Sequence, residues 1–356
     1  MKRRWKVLLG VGAAFAALAA APILYIEFGC GGTTAQGPAY RPLIRDAEWR
    51  REEARTWLTY PEWHIVYSAD SFGRFLENSP PSGYSYLRDI RGFWSGYCAV
   101  NKASAGSGGA DAGTRVMLYT IGLSFSAELL VKGLYENTLG RVSELIGGWD
   151  SADDRHATRV QKAYGAFMHE TPWYEFPYTK AFDGLWNTTE PDHKLRHWER
   201  RFALSGEYGV KAGYAALIGW ASGASLGRDE RTLRFVTSAS PATVRNVDAR
   251  LKPIGRTSAG TVVEAPRYAQ FTKLMTKLSN SNAKLTEISG NDDVFVTALV
   301  PSKAKSLQGA DRLMAMPLPD RPGWNRVGLS TKVSGLLPLL RAIRRSGGRI
   351  EHVYDY

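Results

Sequence analysis

Val7–Phe28 reads VLLGVGAAFAALAAAPILYIEF, an apolar run of 22 residues behind a basic start. At 1.5 Å per residue such a run matches the roughly 30 Å hydrocarbon core of a bilayer as one helix. Lys2, Arg3, Arg4 and Lys6 flank its N-terminal side, which the positive-inside tendency assigns to the cytoplasm. The reading is an N-terminal transmembrane anchor, membrane contact through that helix, and a single-pass protein of the bacterial inner membrane with its bulk in the periplasm. Two alternatives stay open. A cleaved secretion signal would use the small residues Ala19, Ala20 and Ala21, and lipid attachment would use Cys30; both also export the chain.

Working outward, residues 1–30 form the basic end and anchor, 31–46 a tether, 47–231 a helical domain and 232–356 an α/β domain. Gly29, Gly31, Gly32, Gly37, Pro38 and Pro42 give the tether its lack of period. The 356 residues, 44% hydrophobic and 22% charged, suffice for a substantial core. A formal charge of +12 suits anionic headgroups, nucleic acid or an acidic protein. No complete nucleic-acid module accompanies the charge, so that partner is not expected. Cys30 and Cys98 are the only cysteines; they permit one disulfide and exclude a cysteine-rich metal site.

The helical domain carries aromatic residues at helical spacing. Trp57, Trp63 and Tyr67, then Tyr86, Phe93, Trp94 and Tyr97, read as core faces. Arg115 to Ile146 predicts a long helix with a broad apolar surface, on which Glu128 and Lys132 make an i,i+4 pair. A helix from Asp153 to Met168 runs into His169-Glu170-Thr171-Pro172-Trp173-Tyr174-Glu175, stiffened by proline. Irregular segments held by helices often line ligand sites, so His169, Glu170 and Glu175 are the first candidates for an acid–base cluster. Glu62 and His64 are the second pair, although two positions on a helix point about 200° apart. Read structurally, the first set is a packed loop and the second an ordinary helix start.

No metal or cofactor is expected. His193 and His197 can share a helix face, but Lys194 stands where a metalloprotease has glutamate, and Glu190 is followed by Pro191. Gly209, Gly213, Gly219, Gly223 and Gly227 permit close helix approach, in a buried helix or a second membrane crossing.

Beyond Arg231 the period changes. Leu233–Thr237 reads as a strand and Pro241–Leu251 as a helix capped by Ser240. Thr261–Glu264 is a strand, Tyr268–Leu278 a helix, and Lys284–Ile288 and Val294–Val300 a hairpin through Ser289-Gly290-Asn291-Asp292-Asp293. Ser302–Gln308 is a short helix and Arg312–Met316 a strand. With the first strand and helix set aside, this is the β-α-β-β-α-β order of a ferredoxin-like sandwich. Arg326–Leu329, Ser334–Arg345 and Arg349–Tyr354 add a strand, a helix and a strand. The fold class is α+β.

Two functions fit. One is a noncatalytic, membrane-tethered envelope protein whose helical domain binds a protein partner or an apolar ligand such as lipid. The other is an envelope hydrolase or lipid-modifying enzyme built on the His/Glu cluster. Oligomeric state is not readable from the chain.

Overall fold

The computed structural model describes residues 17, 19–33, 40–187, 193–222, 231–304 and 307–356. A mostly helical part reaches Ser222 and a two-sheet part follows it. The described helices are α1 Ala19–Gly29, α2 Tyr60–Phe75, α3 Tyr86–Ser104, α4 Ala112–Gly147, α5 Ala152–Met168, α6 Tyr178–Trp186 and α7 Lys194–Ser222, with α8 Pro241–Val247, α9 Tyr268–Leu278 and α10 Val333–Arg345 among the strands.

The N-terminal anchor is the first correction. Among the described residues the helix long and apolar enough to cross a membrane is α4, 36 residues in mid-chain, whereas α1 is a short apolar helix. Residues 1–16 and 18 of the apolar run lie outside the described residues. Its end is fastened to the body. Ile26 and Cys30 are buried, Cys30 is bonded to Cys98 of α3, and Glu27 accepts from Tyr119 Oη at 2.6 Å. The disulfide also replaces the lipid-attachment reading of Cys30. Further on, the Glu287 carboxylate accepts from Tyr40 Oη, from the Leu43 backbone and from Ile44 N at 2.9 Å.

Local chemistry sets the helix starts. Pro61 occupies the first turn of α2, where its missing N–H costs nothing. Asp111 caps α4 by accepting from Thr114 N at 2.7 Å, and Ser151 and Asp154 form a reciprocal capping box on α5. A single π turn, Glu136–Gly140, interrupts α4. Glycines let the helices approach. A Cβ on Gly96 would lie 2.4 Å from the Tyr60 ring and one on Gly122 2.5 Å from Phe93.

The strands are β1 Thr232–Thr237, β2 Lys252–Thr257, β3 Gly260–Pro266, β4 Leu285–Ile288, β5 Asp293–Pro301, β6 Asp311–Pro317, β7 Trp324–Lys332 and β8 Arg349–Val353. They form two four-stranded sheets, β2-β3-β1-β4 and β6-β7-β5-β8, with antiparallel pairing throughout. This corrects the expected ferredoxin-like sandwich. The strand that was to be set aside, β1, is central to the first sheet, and the elements of 261–316 are divided between the two sheets.

The expected hairpin fails at the same place. β4 pairs with β1, β5 pairs with β7 and β8, and Ser289 and Gly290 at φ 50° and 85° turn the chain from one sheet to the other. Ser302 and Lys303 form a turn instead of a helix, and 305–306 lie outside the described residues.

One apolar core serves both sheets. Phe235, Val263, Phe271, Leu274, Val296, Leu336 and Leu340 all belong to it, with α9 lying against β8 and α10 against β4. The other face of the second sheet receives the helical part, where Phe295, Met314 and Tyr354 join Tyr60, Tyr67 and Phe93. Each fully buried large apolar side chain contributes about 1.5–3 kcal/mol. Tyr67 Oη, 3.0 Å from Thr297 Oγ1, fixes the approach.

Candidate functional site

Where α2, α4 and α7 splay apart they enclose an open groove of about 1510 Å³. α2 contributes Trp63, Ile65 and Val66; α4 contributes Ile121, Phe125, Val131 and Tyr135; α7 contributes Trp198, Phe202, Val210, Tyr214 and Ile218. The 168–174 segment closes one side, with Trp173 packed 5.3 Å from Tyr214. Apolar residues recur at three- and four-residue intervals along α4 and α7, so each helix turns one stripe to the core and leaves another on the groove.

Charge inside the groove is matched across the helices. Lys132 of α4 donates to Glu207 of α7 at 2.9 Å, and Lys211 of α7 reaches Glu128 at 2.8 Å and Glu207 at 3.1 Å. The i,i+4 neighbours Glu128 and Lys132 thus each reach across to α7. Burial alone would raise the Glu207 carboxyl, but the two ammonium groups override it and hold it at about 2. Beside this clasp, at the π turn, Arg200 forms a bidentate pair with Glu136, both bonds 3.0 Å. Fully buried Arg196 bridges Asp154, Glu199 and the Gly140 carbonyl.

The structure brings three of the five sequence candidates to the groove and leaves two outside. His169, at the end of α5, lines it; its Nε2 lies 2.7 Å from Asp70 Oδ2, and both side chains are part-exposed. Glu170 also lines it, held by Gln270 Nε2 at 3.1 Å and Lys273 Nζ at 3.8 Å. Glu62 opens onto the groove, where the surrounding protein desolvates it and raises its carboxyl, opposed by Arg55. Glu175 is exposed and outside the lining. His64 is buried in the core with Nε2 3.1 Å from the Asp89 carbonyl and Nδ1 3.3 Å from Tyr60 Oη.

Sequence reasoning missed Asp70 and His352. Trp63 stacks on His352 at 3.7 Å and has the His169 ring at 5.8 Å. His352 is buried, its Nδ1 lies 3.2 Å from Thr272 Oγ1 and its Nε2 has no partner. Burial first, and then nearby His169, push its pKa well below the ordinary value. No spacing rule links Asp70 to His169 or Trp63 to His352, since the pairs are nonlocal. The Glu207–Lys211 pair at i,i+4 on α7 was the available signal for the clasp.

The expected histidine pair is divided: His197 Nδ1 meets Asp153 at 2.6 Å, His193 is exposed, and Glu190 and Pro191 lie outside the described residues. Among the described residues one group of three potential metal ligands converges, Glu53, Asp292 and Asp293. Lys332 supplies its counter-charge at 3.1 Å from Asp292 and 2.7 Å from Asp293. Burial and the Asp293 hydrogen bond push Glu53 up to about 7. Gly206, Gly209 and Gly213 of α7 face open space rather than another helix.

Comparison with protein-family models, curated proteins and solved structures found no match.

Proposed function

We propose that this chain is a membrane-associated protein that holds an apolar, lipid-like ligand in the groove between α2, α4 and α7. The observation that carries the reading is the groove itself. At about 1510 Å³ it exceeds the roughly 300–1,000 Å³ of most small-molecule sites, its walls are aliphatic and aromatic, and its charges are largely cross-paired. A ligand with long hydrocarbon segments fits such walls. The length and apolar composition of α4 favour membrane association, and the Cys30–Cys98 disulfide favours an oxidising compartment, for which we propose the periplasmic side of a bacterial inner membrane.

Native mass spectrometry of the full chain, released from detergent, tests this. The expected result is a stoichiometric lipid-mass adduct that is lost in Phe202→Glu. A bare monomer in wild type, under conditions that preserve the fold, sinks the reading.

One observation favours a second reading, acid–base chemistry on the bound lipid. His169 and Asp70 form a short pair at the groove wall, the arrangement that orients an imidazole as general base. His169→Gln should then abolish hydrolysis of an acyl-ester probe while leaving the adduct in place. Equal rates in variant and wild type would remove the enzyme reading.

A further inference from the structure

The end of α4 and the start of α7 meet outside the groove. Arg196 Nη1 donates to the Gly140 carbonyl at 3.2 Å and to Ser143 Oγ at 2.9 Å, and a Cβ on Gly147 would meet the Arg196 and His193 side chains at 2.8 and 2.9 Å. The two hydrogen bonds are buried, so they fix the two helix ends while apolar residues are turned outward. Leu145, Ile146 and Trp149 project from one end, and Leu195, Trp198 and Phe202 from the other; Leu145 is 74% and Phe202 76% exposed. Leu195, Trp198 and Phe202 follow at i, i+3 and i+7, one face of α7. Trp186, 6.4 Å from Trp198, extends the patch, and Trp186, Trp198 and Phe202 also line the groove.

A soluble surface rarely leaves so many large apolar side chains exposed around one helix junction. The polar residues among them select the partner. Arg141 and Lys194 are exposed within the same two segments, Arg155 is paired with Asp150, and the whole chain carries +12. Tryptophan beside aliphatic residues and free cations is the composition of an interfacial membrane contact, with rings at headgroup level and cations on anionic phosphates. We infer that this tip docks into an anionic phospholipid leaflet, which places the mouth of the groove against the acyl chains. The inference rests on the lipid reading of the groove, to which it adds the surface and the headgroup charge.

Because the two native cysteines are bonded to each other, a single introduced cysteine can carry an environment-sensitive fluorophore. The full chain is labelled at Leu145→Cys, or at Ile254→Cys on the first sheet, where the native side chain is also exposed. It is then mixed with vesicles of phosphatidylglycerol and phosphatidylcholine. Emission at 145 should rise severalfold, shift to the blue and be quenched by brominated acyl chains, while emission at 254 stays unchanged.

No change at 145 overturns the inference, as do equal changes at both sites. A rise at 145 that follows protein concentration without vesicles also overturns it, in favour of a second copy covering the face. A Leu145→Glu/Leu195→Glu variant, changed at two exposed positions outside the groove lining, should lose vesicle binding at least tenfold. Unchanged vesicle binding with the lipid adduct still present defeats the docking surface and leaves the groove reading standing. Docking at 145 without any adduct in wild type does the reverse.

Discussion

Glu207 shows how single side chains govern the groove. Its carboxylate lines a largely apolar groove, and alone it would be costly there. Burial works against its charge, but Lys132 and Lys211 hold its pKa at about 2 against an ordinary 4.5. Because the folded value is depressed, its contribution to stability is complete above pH ~4.5 and is lost as pH falls through about 2. The shift corresponds to roughly 3 kcal/mol. In urea denaturation, wild type should exceed Glu207→Gln in stability most at pH 7, and the gap should narrow steadily below pH 4.5. A gap that does not change with pH would show that Glu207 is not held by its two lysines in the folded chain.

At the scale of elements, local signals carry over and nonlocal ones do not. The 3.6-residue period finds α4 to within a few residues, because one apolar stripe must be buried whatever lies opposite. Ser240 and Pro241 mark the start of α8 through a cap that needs no distant partner, Ser240 Oγ accepting from Thr243 N at 3.2 Å. Ser289 to Asp293 has hairpin composition, yet its strands enter different sheets. Turn chemistry specifies a reversal; it does not specify which strand lies alongside.

The candidate site divides in the same way. Proximity in sequence places His169 and Glu170 together at the end of α5. Only packing brings Asp70 to His169 and sends Glu175 outward. The buried π-turn network is also invisible to periodicity, since Arg196 and Arg200 find their carboxylate partners on α5 (Asp154) and α4 (Glu136) as well as on their own helix (Glu199).

At the scale of the molecule, the two sheets repeat one spatial order, second strand, third, first, fourth, around a common core, and α2 and α3 rest on the second sheet. The first sheet is tied to the rest by a strap. The chain leaves α1, is bonded at Cys30 to α3, and on the far side of residues 34–39 lays Tyr40, Leu43 and Ile44 on the buried Glu287 of β4. Arg51 N then donates to the Ser289 carbonyl at 2.9 Å. One end of the strap is covalent and the other is held by hydrogen bonds, so the disulfide limits how far the unfolded chain can expand.

With a sequence separation of 68, the chain-entropy model gives about 4 kcal/mol for this closure, and native disulfides typically contribute about 2–4. Guanidinium denaturation of the full chain should therefore shift to lower midpoint on adding dithiothreitol. Cys30→Ser/Cys98→Ser should start at that lower midpoint and not respond to the reductant. A wild-type midpoint insensitive to dithiothreitol, under conditions where free-thiol assay shows the bond reduced, would mean that the hydrogen-bonded end on Glu287 holds the strap unaided.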